Sequence, residues 1–148
     1  MNRWVLDTDH VSLFIRGHQR IIQKSAQKYP AVVITIITVQ ELFNGWIGRI
    51  NQESNPENLV NLYSKLMQTL DFIKSVQVLN FDGLAKQCYL TLRQQNRVLA
   101  RKRLDKDLKI ASIALSQGAV MVTRNQKDFS LVPDLQLEDW TNLEETII

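Results

Sequence analysis

Residues 1–10 have the sequence MNRWVLDTDH, in which the short apolar run Trp4–Leu6 stops abruptly at Asp7. A run of this length between polar residues is typical of a buried strand. Asp7 and Asp9 follow it at once, and they suit the rim of a sheet because burying unpaired charges in its interior is costly. In open α/β sheets, ligands bind just outside the carboxyl ends of the strands. Asp7 is therefore a candidate for a catalytic or ligand-binding residue.

The composition predicts one soluble domain spanning residues 1–148. Of the 148 residues, 45% are hydrophobic and 22% are charged, which is ordinary for a globular protein. The formal net charge of +3 permits an anionic partner such as nucleic acid without requiring one. The single cysteine, Cys88, leaves no disulfide within this sequence and fits a reducing compartment. Because Asp7 and Asp9 interrupt the N-terminal apolar run and the longest apolar run is short, we expect no signal peptide, no membrane partner and a cytoplasmic location.

Five stretches of the sequence predict strands. They are residues 4–6, AVVITII (31–37), SVQVLNF (75–81), AVMVT (119–123) and, as a short edge strand, LQLEDW (135–140). The second stretch is β-branched and continuous, which is typical of a strand buried on both faces of a parallel sheet. Strands that alternate with helices indicate right-handed crossovers. We therefore predict an α/β fold of three layers, with a central parallel sheet of four to five strands and helices on both faces.

Helical spacing fills the segments between these strands. A short helix after the first strand is predicted to begin at an Asp9 cap and to end at Gly17. Thr38 and Glu41 have the spacing of a capping box that opens a longer helix. A polar break at residues 51–58 separates it from another, and the two predict a projecting helical hairpin. Further helices are predicted over 82–96 and 108–118, and a loop or short turn over 124–133.

Acidic side chains from distant parts of the sequence are predicted to meet at one edge of the sheet. In right-handed βαβ units, each strand end and the start of the following helix share an edge. Asp7 ends the first strand, Glu41 lies in the first turn after the second strand, and Asp107 opens the helix before the fourth strand. Asn125 and Asp128 follow the fourth strand. Each residue alone also suits a cap or a turn, so the argument depends on their joint placement.

Such a cluster predicts a bound cation. Like charges held together repel by several kcal/mol in a protein environment, and a divalent ion offsets that cost. Carboxylate oxygens are the ligands that Mg²⁺ and Mn²⁺ prefer. Pairs of these ions assist in-line hydrolysis of phosphodiesters, which makes a nuclease the natural candidate.

Four motifs then occur in series along the chain. They are LDTDH (6–10), TVQEL (38–42), DLKIASIAL (107–115) and VTRNQKDFSLVPDLQLEDW (122–140). Together they resemble a PIN domain and, more narrowly, the VapC-type toxins of bacterial toxin–antitoxin pairs. The resemblance spans essentially the whole chain. It implies a metal-dependent endoribonuclease that hydrolyses RNA with Mg²⁺ or Mn²⁺, forms a homodimer and is inhibited by a cognate antitoxin protein.

Carried over position by position, the resemblance implies the catalytic residues. The three acids of the family that bind metal fall on Asp7, Glu41 and Asp107. Asn125 occupies a fourth catalytic position at which many members have aspartate, which leaves open whether one or two ions bind. Asp128 nearby either supplies the missing charge or shapes the loop. Thr8 and Thr123 resemble the hydroxyl residues that flank the family's site.

Two surfaces are candidates for contacts with partners. Seven of the chain's 18 lysines and arginines lie between Arg93 and Lys109, beside the proposed site. Phosphate contacts position a nucleic acid without reading its sequence. The candidates for RNA-backbone contact are Arg101, Lys102 and Arg103. The resemblance implies that the antitoxin lies in an apolar groove near the hairpin, where the candidate residues are Phe43, Trp46, Leu62, Tyr63 and Leu66.

Three alternatives stay open at this level. The N-terminal motif also matches haloacid-dehalogenase-like phosphatases, in which Asp7 is the nucleophile and Asp9 the general acid, although VTRNQ lacks their later acidic pair. A phosphoacceptor receiver domain would use Asp7, Asp9 and Asp82, but it lacks a well-placed lysine. A PIN domain weakened at Asn125 could act only as a module that binds RNA or an antitoxin. Asp9 distinguishes these possibilities from the nuclease, because the phosphatase and the receiver domain need Asp9 and the nuclease does not.

Overall fold

The computed structural model describes residues 2–142, and it contains a central five-stranded parallel sheet. The strands are β1 Trp4–Leu6, β2 Val32–Thr35, β3 Gln77–Leu79, β4 Val120–Val122 and β5 Leu137–Glu138. Their order across the sheet is β3-β2-β1-β4-β5, and every neighbouring pair is parallel. The predicted α/β fold is confirmed, including the short edge strand near the end of the described chain.

Seven α-helices within residues 2–142 connect and cover these strands. They are α1 Thr8–Ile15, α2 Gln19–Lys28, α3 Ile36–Gln52, α4 Pro56–Ser75, α5 Gly83–Gln95, α6 Asp105–Ser116 and α7 Gln126–Phe129. A short 3-10 turn, Lys102–Leu104, leads into α6. The two longest helices, α3 and α4, pack against each other as the predicted hairpin. None of the helices in this part of the chain combines the length and the apolar character needed to cross a membrane.

Two apolar cores, one on each face of the sheet, account for the three layers. Successive side chains of a strand point to opposite faces, so neighbouring residues of β1 belong to different cores. Val5 packs in the core that α5 and α6 cover, whereas Leu6 packs in the core that α1, α2 and α4 cover. Both side chains are fully buried. Burying each such side chain contributes about 1.5–3 kcal/mol to folding.

The strand order reverses direction between β1 and β4. The chain moves from β1 outwards to β2 and β3, and it then crosses back to place β4 on the other side of β1. A crevice opens at such a switch point, beyond the carboxyl ends of the two strands. Asp7 lies at this position, where its backbone N–H donates to the carbonyl oxygen of Val122 at 3.0 Å.

The start of α3 differs from the prediction. The sequence predicts a strand over residues 31–37 followed by a cap at Thr38, but β2 ends at Thr35 and α3 follows directly. The hydroxyl of Thr35 accepts the backbone N–H of Thr38 at 3.3 Å and caps the helix. Ile37 is buried, and this packing overrides the weak strand preference of β-branched residues. As a result, Glu41 lies in the second turn of α3 and not in the first.

The cap of α1 was also predicted wrongly, and the loop or short turn predicted after β4 contains a short helix. Asp7, and not Asp9, caps α1, because its Oδ1 accepts the backbone N–H of His10 at 2.7 Å. The segment after β4 contains the short helix α7, whose cap is Asn125. The Asn125 Oδ1 accepts the backbone N–H of Asp128 at 3.4 Å. Both capping residues lie at the carboxyl edge of the sheet.

Candidate metal centre

Carboxylates from four elements near the ends of β1 and β4 lie close enough to interact electrostatically. They are Asp7 after β1, Glu41 on α3, Asp107 in the first turn of α6 and Asp128 on α7. Burial, followed by the charges of Glu41, Asp7 and Asp128, raises the pKa of Asp107 from its ordinary value of 3.8 to about 6. A hydrogen bond from Asn125 acts in the opposite direction. The structure therefore brings these acids within electrostatic reach of one another.

The chemistry of this donor set fits a divalent cation. Of these four acids, Asp128 pairs with Arg103, and Arg124 pairs with Asp9; within residues 2–142 neither arginine pairs with the inner carboxylates Asp7, Glu41 and Asp107. Crowded carboxylates without a countercharge favour protonation, and a bound cation relieves the same repulsion. Mg²⁺ is bound through a few carboxylates and keeps several waters, so the acids need not all touch the ion. The cluster thus suits a hydrated hard ion.

One oxygen of Asp7 is held by its neighbours, and the other is left for a ligand. Oδ1 accepts both the backbone N–H of His10 at 2.7 Å and the ring Nδ1–H of His10 at 3.2 Å. The proton lies on Nδ1 because Nε2 accepts the backbone N–H of Trp140 at 3.3 Å. His10 is fully buried, so it positions Asp7. Within residues 2–142, the Asp7 Oδ2 has no such partner.

A different group of three potential ligands lies at the same edge. Asp7, Asp9 and His10 each offer an atom within 4.8 Å of the others. Both ring nitrogens of His10 are already engaged, and Asp9 accepts two hydrogen bonds from Arg124. Within residues 2–142 this is the one group of three such side chains whose ligand atoms lie this close together, and a cation there would have to compete with these hydrogen bonds.

Two threonines orient Glu41. The hydroxyl of Thr8 donates to the Glu41 Oε1 at 2.6 Å. Because Thr8 has a single hydroxyl proton, it accepts the hydrogen bond from Thr38, whose hydroxyl lies 3.0 Å away. Thr38 is fully buried one turn before Glu41 on α3. This chain of hydrogen bonds links α1 to α3 and fixes one carboxylate oxygen of Glu41.

The loop after β4 holds Asn125 against the cluster. Thr123 is fully buried, and its hydroxyl accepts the backbone N–H of Asn125 at 2.9 Å. The Asn125 Nδ2 donates to the Asp128 Oδ2 at 3.1 Å, and that oxygen also pairs with the Arg103 Nη1 at 3.5 Å. Thr123 therefore shapes the loop, whereas Asn125 reaches Asp107 directly.

Comparison with known proteins identifies the family. The chain is 30% identical over 141 residues to Ribonuclease VapC1 of Haemophilus influenzae, a match that covers 93% of this chain and 98% of that protein. The chain belongs to the VapC family. It is also 28% identical over 144 residues to the tRNA(fMet)-specific endonuclease VapC of Salmonella typhimurium, covering 95% and 99% of the two chains. No protein-family model matches the sequence.

Solved structures of VapC proteins share the fold. VapBC-1 from nontypeable Haemophilus influenzae has a TM-score of 0.75 at 27% identity and covers 94% of this chain and 98% of its own. The DNA-bound VapBC of Salmonella typhimurium has a TM-score of 0.74 at 28% identity and covers 95% and 99%. The recognition of a VapC-type toxin from its motifs is therefore confirmed.

Membership of the VapC family disfavours the two other enzyme classes, and the geometry agrees. Asp9, which a phosphatase needs as its general acid, is held at two points by Arg124. Asp82, which a receiver domain needs, follows β3, and β3 lies two strands away from β1. Asp82 instead caps α5 by accepting the backbone N–H of Ala85 at 2.9 Å.

The three basic candidates for RNA contact lie on the segment that enters α6 of this VapC chain. Arg101, Lys102 and Arg103 are all exposed. Asp105 anchors the start of that helix, since it accepts the hydroxyl of Tyr89 and pairs with Lys109 at 2.8 Å. The segment is thus fixed beside Asp107, and its cationic side chains are exposed, although Arg103 also pairs with Asp128 at 3.5 Å.

The sequence did not predict the roles of His10 and Arg124. His10 follows Asp7 by three positions on α1, a spacing at which helical side chains meet, so a local signal for the contact existed. Arg124 pairs with Asp9 across 115 positions, and no local pattern predicts such a pair.

Proposed function

We propose that this VapC chain is a metal-dependent endoribonuclease and the toxin of a toxin–antitoxin pair. The observation that best supports this proposal is the electrostatic coupling of Asp107 to Glu41 and Asp7 near the switch point of the sheet, where burial and these charges raise the pKa of Asp107 to about 6. Relatives that are named ribonucleases support RNA as the substrate. The reaction is hydrolysis of an RNA phosphodiester bond at this cluster.

Asp7, Glu41 and Asp107 would hold Mg²⁺ or Mn²⁺. Asp7 offers Oδ2 and Glu41 offers Oε2, the oxygens that the hydrogen bonds with His10 and Thr8 leave over. A bound divalent ion makes hydroxide available near neutral pH and polarises the phosphate oxygens. An ion held there would compete with the proton for the carboxylate of Asp107.

The other site residues orient the carboxylates or bind the RNA. Asn125 donates to Asp107 and orients it, and Asp128 adds negative charge while it orders Asn125. Arg101, Lys102 and Arg103 would bind phosphates of the RNA backbone, a contact that sets the register of the strand without reading its bases.

Metal-dependent cleavage by the purified protein tests this function. We expect labelled single-stranded and structured RNA to be cut with Mg²⁺ or Mn²⁺ and to stay intact with EDTA, because the inner carboxylates cannot activate water by themselves. Cleavage that persists in EDTA would contradict the role of the metal. No cleavage with either ion would favour the binding module. Hydrolysis of p-nitrophenyl phosphate that Asp9→Asn abolishes would favour the phosphatase.

An apolar groove between α1, α2 and α4 is the surface that best fits the antitoxin. It has a volume of about 470 Å³, and its lining includes Phe14, Ile22, Tyr29 and Phe72. The hydroxyl of Ser25 also lines it, buried and without a hydrogen-bond partner in the described residues. A peptide with apolar side chains and one polar group would fill this space and satisfy that hydroxyl. The VapBC complexes among the structural neighbours support such a partner.

The hairpin surface named from the sequence is the competing site. Phe43, Tyr63 and Leu66 line a smaller apolar groove of about 340 Å³ together with Met67. Trp46 is turned away from it, because its indole Nε1–H donates to the hydroxyl of Thr69 at 2.9 Å. The groove between α1, α2 and α4 is larger and offers the hydroxyl of Ser25 as well as apolar side chains, so we assign the antitoxin to it.

Lysine substitutions at the two grooves separate these possibilities. Ile22→Lys is expected to weaken binding of the antitoxin encoded beside this chain by at least about 30-fold, because a buried ammonium is costly in an apolar interface. Met67→Lys, an equally drastic change on the hairpin surface, should leave binding unchanged. Calorimetric titration of each variant with the antitoxin measures the affinities. The reverse pattern would place the antitoxin on the hairpin.

The homodimer and the cytoplasmic location stay predictions. Light scattering on the purified protein gives its mass in solution, and a value of twice the chain mass is expected. Fractionation of cells gives the location, and the soluble cytoplasmic fraction is expected to contain the protein.

A further inference from the structure

Arg124 has no role in the mechanism proposed above, although its charged side chain lies beside the acidic cluster. It follows β4 directly, and half of its side chain (52%) is exposed. Its Nε donates to the Asp9 Oδ2 at 2.7 Å, and its Nη2 donates to the Asp9 Oδ1 at 2.8 Å. Hydrogen bonding with Asp9 is the main cause that raises the pKa of Arg124 above its ordinary value. The guanidinium is thus held in one orientation.

The pairing with Asp9 uses only one edge of the guanidinium. Arginine presents two edges, each of which can donate a pair of parallel hydrogen bonds to a carboxylate or a phosphate. Asp9 occupies the edge formed by Nε and Nη2. Among the described residues, no hydrogen bond is made by Nη1, so the second edge remains available. Two oxygens of a backbone phosphate can accept the pair of hydrogen bonds that this edge offers.

The pair of Arg124 with Asp9 lies next to the acidic cluster. Because an exposed ion pair contributes little to stability, stabilising the fold is a weak explanation for this pair, and a role at the cluster is a stronger one. A carboxylate oxygen of Asp9 lies within 4.8 Å of a ligand atom of Asp7, and Asp7 and Asp139 both act electrostatically on Arg124. The exposed cation therefore borders the cluster at which the phosphodiester is cut.

Asp9 also protects the cluster from Arg124. A long cationic side chain at this position is attracted by Asp7 and Asp139. If it folded into the cluster, it would neutralise the carboxylates that a divalent ion needs. The two-point pair with Asp9 holds the guanidinium at the rim, which keeps the inner carboxylates available and a cation beside them.

We propose that Arg124 binds a backbone phosphate of the RNA next to the one at the cluster, and that Asp9 is a positioning residue that holds Arg124 for this contact. The inference rests on the proposed ribonuclease function and adds a substrate contact to it. It adds the segment after β4 to the phosphate-binding surface proposed for the basic segment that carries Arg103.

Binding of RNA without metal tests the contact separately from catalysis. A fluorescently labelled single-stranded RNA is titrated in EDTA at several salt concentrations with wild type, Arg124→Ala, Arg124→Lys and Arg16→Ala. Arg16 is the matched control, an exposed arginine at the opposite end of α1. We expect Arg124→Ala to weaken binding about 10-fold and to lower the salt slope by about 0.7, the value for one phosphate contact on a single strand. Arg124→Lys should keep the slope and lose part of the affinity, since it keeps the charge but not the fork.

A double-mutant cycle tests the role of Asp9. In the wild-type background, Asp9→Asn is expected to weaken RNA binding about 3-fold because Arg124 is no longer held. In the Arg124→Ala background, the same change should leave binding unchanged or improve it, since it then only removes a negative charge. Equal effects in the two backgrounds would overturn the positioning role.

Two results would overturn the proposal in distinguishable ways. If wild type cleaves RNA with metal but Arg124→Ala binds RNA with unchanged affinity and salt slope, the phosphate contact is wrong and the ribonuclease function stands. If wild type neither binds nor cleaves RNA, both fail. Thermal unfolding of each variant should match wild type, and KM for cleavage should rise in Arg124→Ala more than kcat falls.

Discussion

Asp7→Asn is expected to lower kcat/KM for metal-dependent RNA cleavage by at least about a thousandfold, close to the loss caused by removing the metal itself. The substitution replaces the free oxygen Oδ2 with an amide nitrogen, which repels a cation and cannot bind it. The remaining oxygen can still accept both hydrogen bonds from His10. The loss should therefore come from the cluster and not from the fold.

Folding of this variant should be unchanged, because asparagine caps helices about as well as aspartate does. Asp71→Asn is the matched control, an exposed aspartate on α4, and it should cleave RNA like wild type. Initial rates with Mg²⁺ and thermal unfolding of the three proteins give the comparison. Near-normal cleavage by a folded Asp7→Asn variant would show that Asp7 is not a ligand.

Asp107→Asn is expected to reduce cleavage about a hundredfold and to stabilise the metal-free protein above about pH 6. Both effects follow from the same carboxylate. In the folded protein Asp107 keeps its proton up to about pH 6, whereas the unfolded chain releases it near 3.8. Ionising this group in the folded state is costly because burial and the charges of Glu41, Asp7 and Asp128 oppose it.

The sign of the pH dependence follows from proton linkage. Between about pH 4 and 6 the folded protein binds more protons than the unfolded chain, so the free energy of unfolding falls as the pH rises. Because Asp107 is partly exposed, the loss is about 1–2 kcal/mol and not the full value of the shift. At about pH 7.5, Asp107→Asn should exceed wild type in stability by that amount, and the difference should vanish towards pH 4.

Urea unfolding of both proteins in EDTA across this pH range measures the difference. Adding Mn²⁺ should raise the stability of wild type and leave the variant unchanged, because the ion replaces the proton as the countercharge. A variant that is less stable than wild type at every pH would mean that Asp107 serves the fold and not the site.

Much of the site could be predicted because its residues stand beside strong local patterns. Asp7 ends an apolar run too short for a helix, and the segment that contains Asp107 leads into an apolar helix and the next strand. In a parallel sheet these positions share an edge whatever the loops between them do. The electrostatic coupling of Asp107 to Asp7 and Glu41 is consistent with that expectation.

The helix boundaries were predicted less well, for a physical reason. Ile36 and Ile37 are β-branched and continue the composition of β2, so composition alone does not show where the strand ends. The end is set by the hydroxyl of Thr35, which caps α3 once the backbone has turned. Thr38 is then free to orient Thr8 and, through it, Glu41.

Other features depend on tertiary structure and have no local signature. The pair between Asp9 and Arg124 joins α1 to the segment after β4, and it forms only when β1 and β4 are neighbours in the sheet. The raised pKa of Asp107 depends on burial that spacing in the sequence does not specify. Both features lie at the site, where distant segments meet.

Binding of Mn²⁺ by isothermal titration calorimetry tests the central claim most directly, because it reports on the ligands without requiring catalysis. Wild type, Asp107→Asn and Asp9→Asn are titrated under the same conditions at about pH 7.5. If Asp7, Glu41 and Asp107 hold the ion, Asp107→Asn loses at least about 30-fold in affinity relative to wild type, and Asp9→Asn loses much less, because it only frees Arg124 to approach the carboxylates. Binding that survives in Asp107→Asn and is lost in Asp9→Asn would contradict this account and place the ion between Asp7 and Asp9.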